Sequence, residues 1–311
     1  MKVFVAGATG VIGRRMVPML IEAGHEVTGM TRSPSKAEAL SEAGATPVVC
    51  DVFDAAALHD AVVAAAPEVV VHQLTDLPPN VDPRKMEKQT RGNDRIRVEG
   101  TANLLAAALA AGARRVVAQS IAFAYAPGGG IKDEQEPLYD DAEEPWSRSI
   151  RALHELERLV TQSDGIEGLV LRYGFFYGPG SSYASDGYYA RQVRSRRFPV
   201  VGSGTGVFSF VHVDDAAGAA VAAVERGWPG IYNVVDDEPA PLSEWLPHYA
   251  QALGAKKPFR VPELIARLVA GKRAVEMATG LAGASNERAK RELQWRLRYP
   301  SWRQGFREAL G

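Results

Sequence analysis

The strongest chemical signal in the chain is the run Gly7-Ala8-Thr9-Gly10-Val11-Ile12-Gly13. It follows the apolar residues Val3-Phe4-Val5-Ala6 and opens an amphipathic stretch, the strand–turn–helix setting in which this spacing binds a dinucleotide. Gly7 permits the tight turn, Gly10 lets backbone N–H groups approach a pyrophosphate, and Gly13 lets the helix pack closely on the sheet. Thr9, Val11 and Ile12 complete the loop, and the positive end of the helix dipole faces the phosphates. The bland alternative is an ordinary strand–helix turn rich in glycine.

The end of the second strand discriminates between cofactors. An acid there binds the ribose 2′-hydroxyl of NAD, but this chain carries Thr31-Arg32-Ser33 with Lys36 close by. An arginine pairs with a 2′-phosphate, so NADP is expected in preference to NAD. Arg14 and Arg15 are candidates to assist. The competing reading of Arg32 is a solvated surface arginine. His72 and His212 sit at strand ends and are expected to be structural. No Cys/His or carboxylate cluster has metal-ligand spacing, so no metal is expected. No serine elbow of the hydrolase kind is present.

These residues need a scaffold, and the hydrophobic pattern supplies one. Strands are expected at Lys2–Ala6, Glu26–Thr31, Pro47–Cys50, Glu68–His72, Arg115–Gln119 and Gly168–Leu171. Helices are expected at Val11–Ala23, Ser35–Ala43, Ala55–Ala65, Lys85–Ala111 and Trp146–Thr161. Short Val-rich strands separated by helices predict a parallel sheet buried on both faces. Further on, Phe208–Val211 and Ile231–Val235 read as strands around a helix at Asp214–Glu225, and the chain is helical from Leu242 onward. Tyr173 to Gly187 reads as a loop, Gly202 to Gly206 as a turn cluster, and Leu77-Pro78-Pro79-Asn80 as a loop. The expected fold is α/β, a doubly wound parallel Rossmann sheet with a smaller, mainly helical C-terminal substrate lobe. The sheet domain takes residues 1–173 and 207–235; the lobe takes 174–206 and 236–311.

Composition narrows the partners. The 311 residues are 46% hydrophobic and 23% charged, as in a globular protein. Lys and Arg number 36 against 37 Asp and Glu, a net charge of -1 that leaves no basic footprint for nucleic acid or membrane. No apolar run reaches the roughly 18 residues of a membrane-spanning helix. A single cysteine, Cys50, excludes an internal disulfide framework. Met1-Lys2 leads straight into the first strand, so no secretory leader is expected, and the expected location is the cytoplasm. The partner is expected to be a small-molecule substrate, and the protein a monomer or homodimer.

Beyond the glycine motif, Asp51-Val52, His72-Gln73-Leu74 with Thr75, Leu171-Arg172-Tyr173-Gly174-Phe175-Phe176-Tyr177-Gly178-Pro179-Gly180, Phe210-Val211-His212-Val213-Asp214-Asp215, Tyr232-Asn233 and Ala289-Lys290-Arg291-Glu292-Leu293-Gln294-Trp295 stand in order along the chain. Together they resemble the short-chain dehydrogenase/reductase superfamily, in its extended and atypical, epimerase/dehydratase-like branches. The resemblance covers nearly the whole chain. It implies that Asp51 and Val52 lie against the adenine, and that Gln73, Leu74 and Thr75 line the cofactor. Tyr173, Gly174 and Phe175 would also bind the cofactor.

The family's catalytic groups are replaced. Its Tyr-x-x-x-Lys helix aligns with Ser149 and Leu153, its catalytic Ser/Thr with Ile121, and the Asn of its long helix with Arg97. The usual mechanism needs a phenol made more acidic by a lysine cation. Serine and leucine do not provide it. Tyr125 is the candidate acid; its other role is packing beside Phe123. Arg97 is the candidate cation for an oxyanion, or else a structural partner of Glu99 or Asp94. Ser120 is the candidate for bonding substrate or backbone, or else a buried strand residue. Tyr183, Tyr188 and Tyr189 line the pocket or simply pack. The expected function is NADP(H)-dependent oxidoreduction of a small carbonyl or alcohol substrate through a non-standard site. The alternatives are a nucleotide-sugar epimerase or dehydratase, and a non-catalytic NADP-binding sensor or scaffold.

Overall fold

The structure, a computed structural model, describes residues 1–78 and 86–310. The first half runs β1 (Lys2–Ala6), α1 (Gly13–Glu22), β2 (Glu26–Thr31), α2 (Ala37–Glu42), β3 (Thr46–Val49), α3 (Ala55–Ala65), β4 (Val69–His72), α4 (Met86–Arg95), α5 (Thr101–Ala110) and β5 (Arg115–Ile121). The second half runs β6 (Ile131–Lys132), α6 (Trp146–Thr161), β7 (Glu167–Tyr173), β8 (Phe175–Tyr177), α7 (Tyr188–Arg194), β9 (Val200–Val201), β10 (Val207–Phe208), β11 (Phe210–His212), α8 (Val213–Glu225) and β12 (Gly230–Val234). Helices α9 (Leu242–Ala252), α10 (Glu263–Ala270), α11 (Lys272–Gly280), α12 (Glu287–Glu292) and α13 (Trp302–Leu310) follow.

Seven strands form one parallel sheet in the order β12-β7-β5-β4-β1-β2-β3. Alternate residues of β1 serve opposite layers. Val3 and Val5 pack with Met16, Leu20 and the alanines of α8, while Phe4 and Ala6 pack with Leu58, Leu104 and Leu156. Both faces are therefore covered, which is why the strands read as continuous apolar runs. The strand order reverses between β1 and β4, so their carboxyl ends open the crevice in which such sheets bind ligands. Beyond the sheet, α7, α9 and α13 surround an aromatic core of Tyr183, Phe210, Trp245, Tyr249, Trp302 and Phe306.

Three expected helices differ in detail. Helix α1 starts at Gly13, because Val11 and Ile12 remain in the turn. Residues 34–36 form a separate tight turn before α2. The long helix is interrupted by one π-helical turn, Ile96–Gly100. Gly100 faces Val52 there: a Cβ would lie 3.2 Å from Val52 Cγ1. The widened turn carries Arg97. Lys85, Pro79 and Asn80, included in the expected helix and loop, lie outside the described residues.

A buried polar network ties β5, α6, β7 and β12 together. The Glu157 carboxylate accepts from Ser120 Oγ at 2.7 Å and from Arg172 Nε and Nη2 at 2.8 and 2.6 Å. Arg172 Nη1 donates to Tyr125 Oη at 3.0 Å, and that hydroxyl donates to Asn233 Oδ1 at 2.8 Å. The Arg172 and Glu157 side chains are only 5% and 6% exposed. The pair is two-pronged, and Ser120 and Tyr125 each add a further bond to it, which favours a buried ion pair. Removing one partner strands the other charge. Glu157→Ala should cost about 3–5 kcal/mol of unfolding free energy, against about 1 kcal/mol for Ser120→Ala, both read from denaturant melts.

His72, at the end of β4, is fully enclosed. Its Nε2 meets Thr101 Oγ1 at 3.1 Å, and its Nδ1 accepts from the Leu74 N–H at 3.2 Å. Burial holds its pKa down to about 4, from an ordinary 6.5, so the native ring is neutral. Below about pH 6.5 the unfolded chain binds the proton and the native state does not. His72 should therefore withdraw about 1.4 kcal/mol of stability per pH unit between those values. His72→Gln should show a shallower loss of stability over that pH range.

Candidate functional site at the carboxyl edge of the sheet

The glycine turn is built by close backbone approach. Gly7 has φ +89°, and a Cβ there would fall 2.6 Å from the Gln73 carbonyl oxygen. A Cβ on Gly13 would fall 2.3 Å from the Gly7 carbonyl oxygen. Gly10 is different: its only near atom is the Gly7 carbonyl oxygen, at 3.3 Å. Space in front of Gly10 and the start of α1 thus remains open, a cradle that a larger residue would fill. Thr9 Oγ1 meets Thr31 Oγ1 at 3.3 Å and holds the turn to the end of β2. These features fit the pyrophosphate of a dinucleotide.

At the end of β2, Arg32 is half-exposed and its Nη2 lies 3.3 Å from Asp76 Oδ1. Lys36 is exposed beside it. Asp51 Oδ1 accepts from the Phe53 N–H at 3.0 Å, while Val52 is buried and its carbonyl accepts from Asn103 Nδ2 at 3.0 Å. Gln73 donates to Tyr173 Oη at 3.2 Å, and its Oε1 is buried without a partner among the described residues. Leu74 O accepts from Gln119 Nε2 at 2.9 Å, and Thr75 is exposed. Of the next three residues, Tyr173 and Gly174 are buried; a Cβ on Gly174 would fall 2.4 Å from the Ser209 carbonyl oxygen. Phe175 is half-buried and stacks on Phe123 with centroids 4.3 Å apart. Tyr173 and Gly174 thus shape the site from behind.

The place of the missing catalytic pair is filled by an ionic cluster. Ser149 Oγ donates to Asp94 Oδ2 at 3.1 Å, as does Arg148 Nε at 3.0 Å, and Arg97 Nη1 donates to Asp94 Oδ1 at 3.3 Å. Leu153 is fully buried. Two guanidinium groups thus converge on the Asp94 carboxylate, and Arg148 also lies 4.0 Å from Glu87. Desolvation lowers the Arg97 pKa to about 10, with Asp94 opposing it, so Arg97 remains protonated at neutral pH. Arg97 pairs with Asp94; Glu99 pairs with Arg95 instead.

Tyr125 and Ser120 are both engaged in the interior network. The Tyr125 phenol is held between Arg172 and Asn233, and burial raises its pKa despite the arginine. Donating to substrate would require it to leave both partners. Ser120 is likewise committed to Glu157. Arg14 and Arg15 serve the opposite side of the turn from Arg32. Arg15 pairs with Asp214 at 2.8 Å and donates to the Pro179 carbonyl at 2.6 Å, and Arg14 lies against Gly180. His212 accepts from the Asp214 N–H at 3.2 Å, capping α8, and burial keeps it neutral. Tyr183 is buried and stacks on Tyr189 at 4.4 Å. Asp94 was legible as one of two partners for Arg97. Its bonds to Arg148 and Ser149 arise from the packing of α4 on α6 and leave no local mark. Asp76 had no sequence signal either.

No group of three or more His, Cys, Asp or Glu that could hold a metal occurs among the described residues. None of the described helices is long and apolar enough to cross a membrane. The sheet order, the glycine cradle and the crevice at β1 and β4 define a dinucleotide-binding protein of the extended short-chain dehydrogenase/reductase type. The NAD dependent epimerase/dehydratase family pattern matches residues 3–234, and the chain belongs to that family. A 3-diazoavenalumate denitrifying reductase from Streptomyces sp is 51% identical over 309 residues, spanning 98% of this chain and 99% of that protein. A 2-alkyl-3-oxoalkanoate reductase from Stenotrophomonas maltophilia is 27% identical, spanning 83% of this chain and 77% of that protein. Among solved structures, a UDP-glucose 4-epimerase from Thermotoga maritima superposes with TM-score 0.77 at 21% identity, covering 100% of this chain and 97% of that one. A human epimerase family protein, crystallised with NADPH, superposes with TM-score 0.76 at 22% identity, covering 100% and 99%.

Gly13 and Gly10 should fail differently when substituted. Gly13→Ala forces backbone apart and should lower the melting temperature. Gly10→Val should leave the melting temperature of the free protein nearly unchanged and abolish dinucleotide binding in a calorimetric titration.

Proposed function

We propose that this protein is an NADP(H)-dependent reductase that replaces the diazo group of a small aromatic substrate with hydrogen. One observation carries the reading: the positions of the family's proton donor and its lysine hold Ser149, bonded to Asp94, and the buried Leu153. A carbonyl reduced by hydride becomes an alkoxide and needs a proton from a well-placed acid. An arenediazonium carbon does not. Its C–N bond breaks as its C–H bond forms, dinitrogen leaves with the bonding pair, and no proton is consumed. The similarity to a denitrifying reductase over nearly the full length supports the same chemistry. Nucleotide-sugar epimerisation and dehydration normally use the tyrosine–lysine pair, so its replacement speaks against them too.

The chain's own groups then have clear tasks. Gly10 and the start of α1 hold the pyrophosphate, while Arg32 and Lys36 take the 2′-phosphate. When bound, the reduced nicotinamide supplies the hydride. Phe123 and Phe175 offer a flat apolar face to an aromatic ring, and with Ile121 they exclude water from the reacting carbon. Arg97, anchored by Asp94, stabilises an anionic oxygen on the substrate. Ser120 and Tyr125 support the site without touching substrate.

The test uses a carboxylated arenediazonium with NADPH deuterated at the transferable position. Dinitrogen should appear in step with NADPH loss, above the enzyme-free rate, and deuterium should sit on the ring carbon. Ser149→Ala and Tyr125→Phe should each stay within about tenfold of the parent, whereas Arg97→Met should lose roughly tenfold to a hundredfold. Faster turnover of 3-oxo acids than of any diazonium, or no deuterium on the ring, would overturn the reading.

Cofactor preference gives a separate check. Arg32→Ala should weaken NADPH binding about tenfold or more, the loss of a charge-assisted contact worth roughly 1.5–3 kcal/mol, and leave NADH unchanged. Asp76→Asn removes the competing carboxylate and should tighten NADPH in the same titration.

A further inference from the structure

Arg273, on α11, is an arginine with little protein to satisfy it. Its guanidinium carbon stands 4.3 Å from the centre of the Trp146 ring, and its side chain is only 16% exposed. Its ion-pair partner is Glu276, with Nη1 and Oε2 3.7 Å apart, too far for a good hydrogen bond. Glu276 is also shared with Lys272, again at 3.7 Å. A guanidinium carries five N–H donors in a planar fork. Desolvation pulls its pKa down to about 10, with Glu276 opposing it, so the group is charged at neutral pH. Beside it, Trp146 Nε1 is buried without a hydrogen-bond partner among the described residues, whereas a buried indole N–H usually finds one. The Trp146 donor therefore lacks an acceptor, and the five donors of Arg273 share one long contact to Glu276.

The position of this pair is informative. Trp146 opens α6 and Ser149 lies three residues on, so both occupy one helix face about 4.5 Å apart along the axis. Ser149 aligns with the family's tyrosine, and on that alignment it stands at the hydride end of the cleft. Arg273 therefore stands about one helical turn from the reacting position, on the α11 side. We infer that Arg273, stacked on Trp146, binds a carboxylate of the aromatic substrate and makes the enzyme selective for anionic aromatic acids. The inference rests on the aromatic-substrate reading above and adds the charged group that the substrate must carry. A carboxylate matches the guanidinium fork with two parallel bonds, which Glu276 at its present distance does not provide.

The experiment compares a carboxylated arenediazonium with its methyl ester in the parent protein, Arg273→Gln and Glu276→Gln. The parent should favour the acid at least tenfold in kcat/KM. In Arg273→Gln the acid-to-ester ratio should fall toward one. Glu276→Gln removes the carboxylate that competes for Arg273 and should bind the acid a few-fold more tightly, which a purely structural arginine would not produce. Calorimetry with the diazo-free aromatic carboxylate and its amide, in the presence of NADP, reads the same selectivity without turnover. Carboxylate-selective binding without diazonium turnover would strike the proposed chemistry and leave this site standing. Equal acid and ester constants in the parent, a proportional loss of both in Arg273→Gln, or unchanged acid binding in Glu276→Gln would each overturn it. If Arg273→Gln does not fold, the parent ratio and Glu276→Gln decide.

Discussion

The carboxyl edge of the sheet depends on the close approach between the Gly7–Gly13 turn and the end of β4. The Gly7 position leaves no room for a Cβ against the Gln73 carbonyl, and Gly13 leaves none against Gly7 itself. Those contacts seat the turn at the β1–β4 reversal and direct the start of α1 into the crevice. Gly10, the one motif position with open space before it, is then where a phosphate can come near the backbone. The same glycine spacing thus serves two purposes, packing at its ends and binding in its middle.

A second constraint lies at the other end of the cleft. The family's tyrosine and lysine are gone, yet the site has not become neutral. Asp94 gathers Arg97, Arg148 and Ser149, so two guanidinium groups stand beside the residue that aligns with the family's tyrosine. In the proposed reaction such a site stabilises negative charge and has no proton to deliver. The phenol and hydroxyl expected to act in place of the family's pair, Tyr125 and Ser120, belong to the Glu157–Arg172 network. Their chemistry is spent on joining four elements of the fold.

Much of this was legible from the residues. The parallel sheet, its strand positions and the glycine motif followed from apolar runs, helical periodicity and glycine spacing, all local properties. So did the loss of the catalytic pair, because it is read position by position along one helix. The sequence offered both Glu99 and Asp94 as partners for Arg97, and the fold selects Asp94 while Glu99 pairs with Arg95. Arg14 and Arg15 were legible as charges but not as to direction. They lie on α1 faces turned toward Asp214 and Gly180, an orientation set by the docking of α1 on α8.

What the sequence determined by itself was therefore the scaffold, the nucleotide-binding turn and the absence of a standard acid. The tertiary structure alone decided which polar side chains face the cleft and which are consumed in the interior. Tyr125 could have pointed either way from its loop. It turns inward because Arg172 and Asn233, 47 and 108 residues away, complete a hydrogen-bond network that a buried ion pair needs. Arg273 is the converse case. Nothing near it in sequence signals a ligand, and only the packing of α11 over Trp146 leaves its charge buried and poorly matched. Both outcomes rest on desolvation, a property of the assembled fold that no stretch of sequence carries alone.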